Sequence, residues 1–146
     1  LFFVNMGGYS ARLFEDPTQI RFQEAVDLIR TTFDSHPFLR EKTVILIMNK
    51  TDLVTSQEMI NSDVKTRFTE FIGDEGNTEA FKFYMAQECV KAAVSGGSKF
   101  DAYYFAQTSD KSLCQSVFNR ISSEILYRSN FQTDENTLKR SERYRV

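Results

Sequence analysis

Three short apolar segments alternate along the chain with segments in which apolar residues recur every three or four positions. This alternation is typical of strands separated by helices. The apolar segments at residues 1–6, 44–48 and 102–106 are rich in branched or aromatic side chains, which favours buried strands. The connections between them are long enough for parallel pairing through right-handed crossovers. The pattern predicts an α/β fold, a three-layer parallel sheet with flanking helices.

Four helices are predicted between and after these strands. Asp16 is expected to cap the first, with Pro17 at its first position, where a missing N–H costs nothing. Asp63 is expected to cap a short second helix and Thr78 a third, while the last is expected over residues 111–128. The residues predicted to face the core are Phe22, Val26, Ile29, Phe33, Val64, Phe68, Phe71, Phe81, Met85, Cys89, Ala92, Cys114, Val117, Phe118, Ile121 and Ile125.

Four polar residues, Asn49, Lys50, Thr51 and Asp52, directly follow the central apolar segment. Ligands of open parallel sheets bind at the carboxyl ends of strands. The two carboxylate oxygens of Asp52 match two neighbouring donors, such as the ring N–H and the amine of guanine. Adenine lacks that pair of donors and would leave the carboxylate unpaired, and a site of this kind rejects such analogues by about 10⁴-fold.

The sequence therefore predicts that these residues bind guanine. Lys50 is expected to lay its methylene stem along the base, and Asn49 to bridge the base edge and a neighbouring loop. The alternative is an ordinary polar turn after a strand, because Asn, Asp and Thr also favour turns.

Composition gives no support to several other classes of function. The net charge of −2 implies no general affinity for nucleic acid or for anionic membranes. The cysteines, Cys89 and Cys114, both fall in predicted helices, so reduced thiols are expected rather than a disulfide, which is consistent with a cytosolic protein. His36 stands alone, which gives no support to a histidine-based metal or catalytic site. No apolar stretch reaches the roughly 20 residues of a transmembrane helix.

An E-D pair at Glu15 and Asp16 is followed by R-x-x-E at Arg21 and Glu24, then by the apolar segment 44–48, and directly after it by N-K-x-D-L at residues 49–53. In this combination the chain resembles the C-terminal half of the GTPase domain of heterotrimeric G-protein α subunits, over roughly residues 1–125. The resemblance implies a partial P-loop GTPase domain of Ras-like fold that lacks its N-terminal strands.

The resemblance also implies a division of the chain and a set of site residues. Residues 1–128 would form the C-terminal part of the GTPase domain, followed by a polar, basic and disordered tail at residues 129–146. Asn49, Lys50, Thr51 and Asp52 would bind the nucleotide. Thr108 stands at the position of a family alanine whose main-chain N–H reaches the guanine carbonyl oxygen. The family residue matched by Glu24 contacts an arginine of the switch helix, which would lie upstream of this chain.

The function implied is that of a signal transducer that binds GTP or GDP and couples receptor activation to effectors. GTP hydrolysis is expected in the full-length parent, with Mg²⁺ held by residues absent here. The expected partners are the G-protein βγ dimer, a G-protein-coupled receptor and an effector, and the expected location is cytoplasmic, at the inner face of the plasma membrane.

The chain contains neither a G-x-x-x-x-G-K-[ST] loop nor a D-x-x-G segment after a strand, so no catalytic residue is assigned and the chain is interpreted as a fragment. One alternative is a degenerate GTPase-like interaction module without hydrolysis, and another is a small Ras-like GTPase. For the loop at residues 107–110, an ordinary strand-to-helix turn capped by Asp110 is the alternative to a base contact.

Overall fold

The central layer is a three-stranded parallel sheet. The computed structural model describes the backbone of residues 1–143 and the side chains of residues 1–127. Strands β1 (Phe2–Asn5), β2 (Ile45–Asn49) and β3 (Ala102–Phe105) pair in the order β1-β2-β3. Both pairings are parallel, so the three predicted strands and their parallel arrangement are confirmed, with small shifts of their ends.

Helices cover both faces of this sheet. Five α-helices are described: α1 (Arg21–Ser35), α2 (Ser56–Asn61), α3 (Val64–Arg67), α4 (Thr78–Ser95) and α5 (Lys111–Arg143). Two short 3-10 helices span Pro37–Glu41 and Thr51–Leu53. Leu46 and Met48 of β2 pack into the larger core with α1 and α4, whereas Ile45 and Ile47 pack with Ile121 of α5. The three-layer α/β architecture follows from this alternation of side chains along β2.

Phe81 of α4 is the centre of an aromatic cluster in the larger core. Its side chain is fully buried, and its ring centroid lies 5.0 Å from Tyr9, 5.2 Å from Phe68 and 5.2 Å from Phe71. Tyr9 extends the cluster to a polar contact, because its hydroxyl lies 3.0 Å from the Ser62 hydroxyl. The loop after β1 is therefore fixed against the segment that follows the N-K-x-D motif.

The first helix begins later than the sequence predicts. Asp16 does not cap it. Instead its carboxylate accepts hydrogen bonds from the Thr18 N–H at 2.9 Å and the Thr18 hydroxyl at 2.6 Å. The hydroxyl and N–H of Thr18 lower the pKa of Asp16. This local turn uses up the acceptor that a helix would need, so α1 starts at Arg21 with Ile20 at its N-cap and no side-chain cap.

Two further helix caps also differ from the predictions. The side chain of Asn77, not of Thr78, caps α4 by accepting from the N–H three residues further on, at 3.0 Å. Asp63 occupies the N-cap position of α3, but it has φ 51° and its side chain makes no capping bond. Helix α2, capped by the side chain of Thr55, was not predicted within the polar stretch where it lies.

Helix α5 covers less of the sheet than predicted. Ile121 is buried at 7% exposure, but Phe118 and Ile125, both predicted to face inward, are 64% and 45% exposed. One helix alone covers this face in the described part of the chain, so only the stripe that meets Ile45 and Ile47 is buried. The prediction of a broader apolar face was wrong because the periodic pattern gives no information on how much sheet lies opposite.

The same helix continues past the predicted boundary at residue 128. Its backbone is helical to Arg143, and the disorder expected for residues 129–146 stays a prediction. The predicted tail also includes residues 144–146, which lie outside the described residues. Within the described part of the chain, no helix combines the length and apolar character that a membrane span requires.

Both cysteines are free thiols, as predicted. Burial, with a smaller contribution from the charge of Glu88, raises the pKa of Cys89 to about 12. Cys89 therefore stays protonated at neutral pH and serves as a packing residue of α4. Cys114 is half-buried in the first turns of α5.

Replacing Phe81 tests whether the aromatic cluster is the main source of stability. Phe81→Ala is expected to lower the free energy of unfolding by about 3–5 kcal/mol, because it removes a large side chain from a filled core. Phe83→Ala is the matched control on the same helix, where the ring is 49% exposed, and should cost much less. Urea denaturation measures both. If Phe81→Ala does not fold, Phe81→Leu replaces it, and equal losses at positions 81 and 83 would contradict the assignment.

The edge position of β1 predicts self-association. Phe3 is 61% exposed, and β1 contains no Lys, Pro or bulge that would block pairing with another strand. The chain is therefore expected to associate as its concentration rises, and Phe3→Lys to shift it towards the monomer. Phe38→Lys, at a ring 58% exposed outside the sheet, is the control. Gel filtration with light scattering reads the mass, and a wild-type monomer at every concentration would exclude the association.

Candidate functional site

Two polar loops meet at the carboxyl edge of the sheet, as the sequence predicts for parallel strands. Asn49 ends β2 and leads through Lys50 into the 3-10 helix Thr51–Leu53, while residues 107–110 follow β3. The ladder continues on both sides of β2. The Met6 N–H donates to the Asn49 carbonyl at 2.8 Å, and the Ala106 N–H donates to the Met48 carbonyl at 2.8 Å. The backbone therefore fixes where both loops begin.

Thr51 connects the two loops. Its main-chain N–H and its hydroxyl both donate to the Ala106 carbonyl oxygen, each at 3.3 Å. Only 8% of Thr51 is exposed, so its side chain points to β3 and away from solvent. The acceptor Ala106 was missed by the sequence reasoning, because a main-chain carbonyl leaves no signal in the residue type.

Lys50 has a left-handed backbone, with φ 60° and ψ 42°. A residue with a side chain pays about 1–2 kcal/mol for this conformation, and such strain is concentrated at functional sites. The turn that results exposes the side chains of Lys50 and Asp52 on the same edge of the sheet. The strained position is thus occupied by the residue predicted to lie along the base.

The side-chain oxygen of Asn49 is buried and has no hydrogen-bond partner among the described residues. Alternation along β2 puts Asn49 on the same face as Ile45 and Ile47, the face covered in part by α5. A buried acceptor without a partner costs about 1–3 kcal/mol. The atom therefore fits a hydrogen-bond donor from a bound molecule or from another polypeptide segment.

The second loop is held by helix α5. Asp110 caps that helix, since its carboxylate accepts from the Leu113 N–H at 3.0 Å. The Cys114 thiol lies 3.2 Å from the Gln107 carbonyl oxygen and donates to it. Thr108 lies exposed between these anchors. The capping role of Asp110 is thus confirmed, while the base contact of the Thr108 main chain stays a prediction.

Glu24 lies apart from these loops, on the rim of a cavity of about 490 Å³ beside β1. Glu15, Arg21 and the rings of Phe3 and Phe14 line the same cavity. The weak Arg21–Glu24 ion pair that their spacing allows is not among the ion pairs of the described residues. The switch contact of Glu24 stays a prediction.

The described residues do not fit Mg²⁺. No group of three or more His, Cys, Asp or Glu side chains suited to a metal occurs among them. An exposed carboxylate at Asp52 and an unpaired buried amide oxygen at Asn49 lie at one sheet edge, and their binding of a purine stays a prediction. Polar groups of this kind recognise a flat ring by its hydrogen-bonding edge.

A three-stranded parallel sheet, flanked by helices and with these loops at its carboxyl edge, is compatible with part of a GTPase domain. No family model matches the chain. Several individual curated proteins do match it. The chain is 30% identical over 141 residues to the guanine nucleotide-binding protein α-2 subunit of Saccharomyces cerevisiae, covering 97% of this chain and 28% of that protein.

Two further relatives carry the same family name. The α-8 subunit of Dictyostelium discoideum is 34% identical over 83 residues, covering 57% of this chain and 20% of that protein. The α-12 subunit of Caenorhabditis elegans is 26% identical over 126 residues, with 86% and 35% covered. The chain is thus a relative of the guanine nucleotide-binding protein α subunits, as the resemblance predicted. It spans about a fifth to a third of the length of these relatives.

Replacing Lys50 by glycine tests whether the left-handed backbone at this position is strained. Lys50→Gly should raise the free energy of unfolding by about 1 kcal/mol, because glycine adopts a positive φ without a steric penalty. Asp63→Gly, at the other non-glycine residue of positive φ in the described chain, should give a similar gain. Thermal and urea unfolding measure both. A loss of stability in Lys50→Gly alone would mean that the lysine side chain stabilises the fold.

Proposed function

We propose that the chain forms the base-recognition part of a guanine-nucleotide site of the G-protein α type. Asp52 accepts from the ring N–H and the exocyclic amine of guanine, and Lys50 lies along the face of the base. Asn49 bridges the base edge and a neighbouring segment, and the main-chain N–H of Thr108 donates to the guanine carbonyl oxygen. Thr51 belongs to the site as the residue that joins the two loops.

One observation carries this proposal: two polar loops are tied together at the carboxyl edge of a parallel sheet, where a buried oxygen of Asn49 has no partner in the described part of the chain. The names of the relatives also support it. An ordinary turn would not leave the Asn49 amide oxygen buried and unpaired, since buried polar groups normally have a hydrogen-bond partner.

The function of the whole protein is proposed from the family. The protein would bind GDP and GTP in turn and relay a receptor signal to an effector, with the βγ dimer as a further partner, at the cytoplasmic face of the plasma membrane. Hydrolysis, phosphate binding and Mg²⁺ binding would depend on residues outside this chain, within a Ras-like domain. Glu24 would face the switch helix of that domain.

A degenerate GTPase-like interaction module is the second candidate. It is compatible with these 146 residues, which contain neither a G-x-x-x-x-G-K-[ST] loop nor a D-x-x-G segment after a strand. A small Ras-like GTPase is less favoured, because the relatives reported above are all α subunits. Guanine-selective binding separates the first candidate from the second.

The test is an exchange of base preference. Backbone amide shifts of the isotope-labelled chain are followed, at a concentration where gel filtration shows a monomer, during titration with GMP, XMP and AMP. These three nucleotides each carry one phosphate group and differ only in the base. The wild type should prefer GMP. Asp52→Asn should move the preference from GMP to XMP by about tenfold or more, because the carbonyl of xanthine pairs with the amide that replaces a carboxylate oxygen.

Asp110→Asn is the matched control in the neighbouring loop. Asparagine also caps helices, so this variant should keep both its stability and its preference for GMP. A preference unchanged by Asp52→Asn would refute the role of Asp52. Equal responses of the wild type to GMP and AMP would refute guanine binding altogether and leave the interaction module as the better account.

A further inference from the structure

The two loops of the proposed site are joined by the side chain of a residue whose hydroxyl is directed at the end of β3. The hydroxyl and the N–H of Thr51 converge on the Ala106 carbonyl, and Thr51 is almost fully buried. Its neighbour in sequence is Asp52, and Thr108 follows Ala106 by only two positions. The Thr51–Ala106 contact is therefore one residue from the carboxylate and two from the main-chain donor.

We propose that Thr51 is a positioning residue that sets the separation between the Asp52 carboxylate and the Thr108 N–H, and thereby the selectivity for guanine. This inference rests on the proposed function, in which those two groups hold opposite parts of one base edge. Thr51 acts through its bond to Ala106 and makes no contact with the base.

The geometry of the turn explains why one hydroxyl matters. Asp52 lies in a single 3-10 turn, closed by the bond from the Leu53 N–H to the Lys50 carbonyl at 3.1 Å. A turn this short resists rotation weakly, and among the described residues the hydrogen bonds that hold it on the β3 side are the two from Thr51. Each is long, at 3.3 Å, so neither alone fixes the turn firmly.

Selectivity responds to such a rotation more than the fold does. A carboxylate that pairs with two adjacent donors must present both oxygens at the correct angle, because a hydrogen bond weakens steeply when it is misaligned. A rotation of the turn therefore costs one of the two bonds to guanine. The core beneath, built from Leu46, Met48 and the helices α1 and α4, does not depend on that angle.

Thr51→Val isolates the hydroxyl, because valine has nearly the same shape and leaves the main-chain bond in place. The readout is the ratio of the dissociation constants for IMP and GMP, measured by amide shift titration. IMP lacks only the exocyclic amine, so this ratio reports on the second bond of Asp52. Thr51→Val should lower the ratio about fivefold, a typical effect of losing one hydrogen bond, and Thr51→Ser should retain it.

Thr55→Val is the control for a purely structural effect. It removes the side-chain cap of α2, so it should lower the thermal stability while leaving the IMP-to-GMP ratio unchanged. If Thr51→Val does not fold, Thr51→Cys replaces it, and its weaker donor should give a lower ratio than Thr51→Ser.

The outcomes separate the two proposals. A wild type without preference for GMP over AMP overturns the proposed function and this inference with it. A wild type that prefers GMP, with a Thr51→Val or Thr51→Cys variant of unchanged IMP-to-GMP ratio, overturns the positioning role alone. A lowered ratio in Thr55→Val of the same size as in Thr51→Val would also overturn it, because general destabilisation would then explain both.

Discussion

The parallel hydrogen-bond ladder of β2 with its two neighbours is the constraint on which the site depends. Parallel pairing brings the carboxyl ends of all three strands to one edge, so that segments far apart in sequence begin their loops side by side. The ladder extends beyond the strands themselves, through the bonds from Met6 to Asn49 and from Ala106 to Met48. The loop positions are thus set by the backbone before any polar side chain takes part.

The larger core makes this ladder rigid on one side. The ring of Phe81 joins Tyr9, which follows β1, to Phe68, which follows the N-K-x-D segment. The bond between Tyr9 and Ser62 adds a polar link between the same two regions. Burial in this cluster raises the pKa of the Tyr9 hydroxyl, which therefore keeps its proton at neutral pH and remains available to Ser62. Packing and hydrogen bonding here act on the same pair of loops.

The sequence was sufficient to tell the strands from the long helices, because short apolar runs and apolar residues spaced three or four apart are distinct patterns. It also located the polar residues that follow β2 at the carboxyl edge of the sheet, while their binding of a purine stays a prediction. It failed where a choice between local hydrogen bonds decides the structure: Asp16 bonds Thr18 instead of a helix end, and Asn77 takes the cap expected from Thr78. It also failed for contacts to main-chain atoms, such as the Ala106 carbonyl, which residue types do not encode.

The helices on the two faces of the sheet bury very different amounts of apolar surface, so the two loops at the carboxyl edge are supported unequally. Residues 49–52 are flanked by Met48 and Val54 of the larger core. Residues 107–110 instead lead into α5, and the smaller cluster under that helix joins its Val117 and Ile121 to Ile45, Ile47, Tyr104 and Ala106. Local opening has the lowest free energy where few apolar groups are covered. Amide protons around residues 107–110 therefore exchange with solvent sooner than those of β2. A molecule bound between the loops would dissociate more slowly mainly to the extent that it suppresses local opening of residues 107–110.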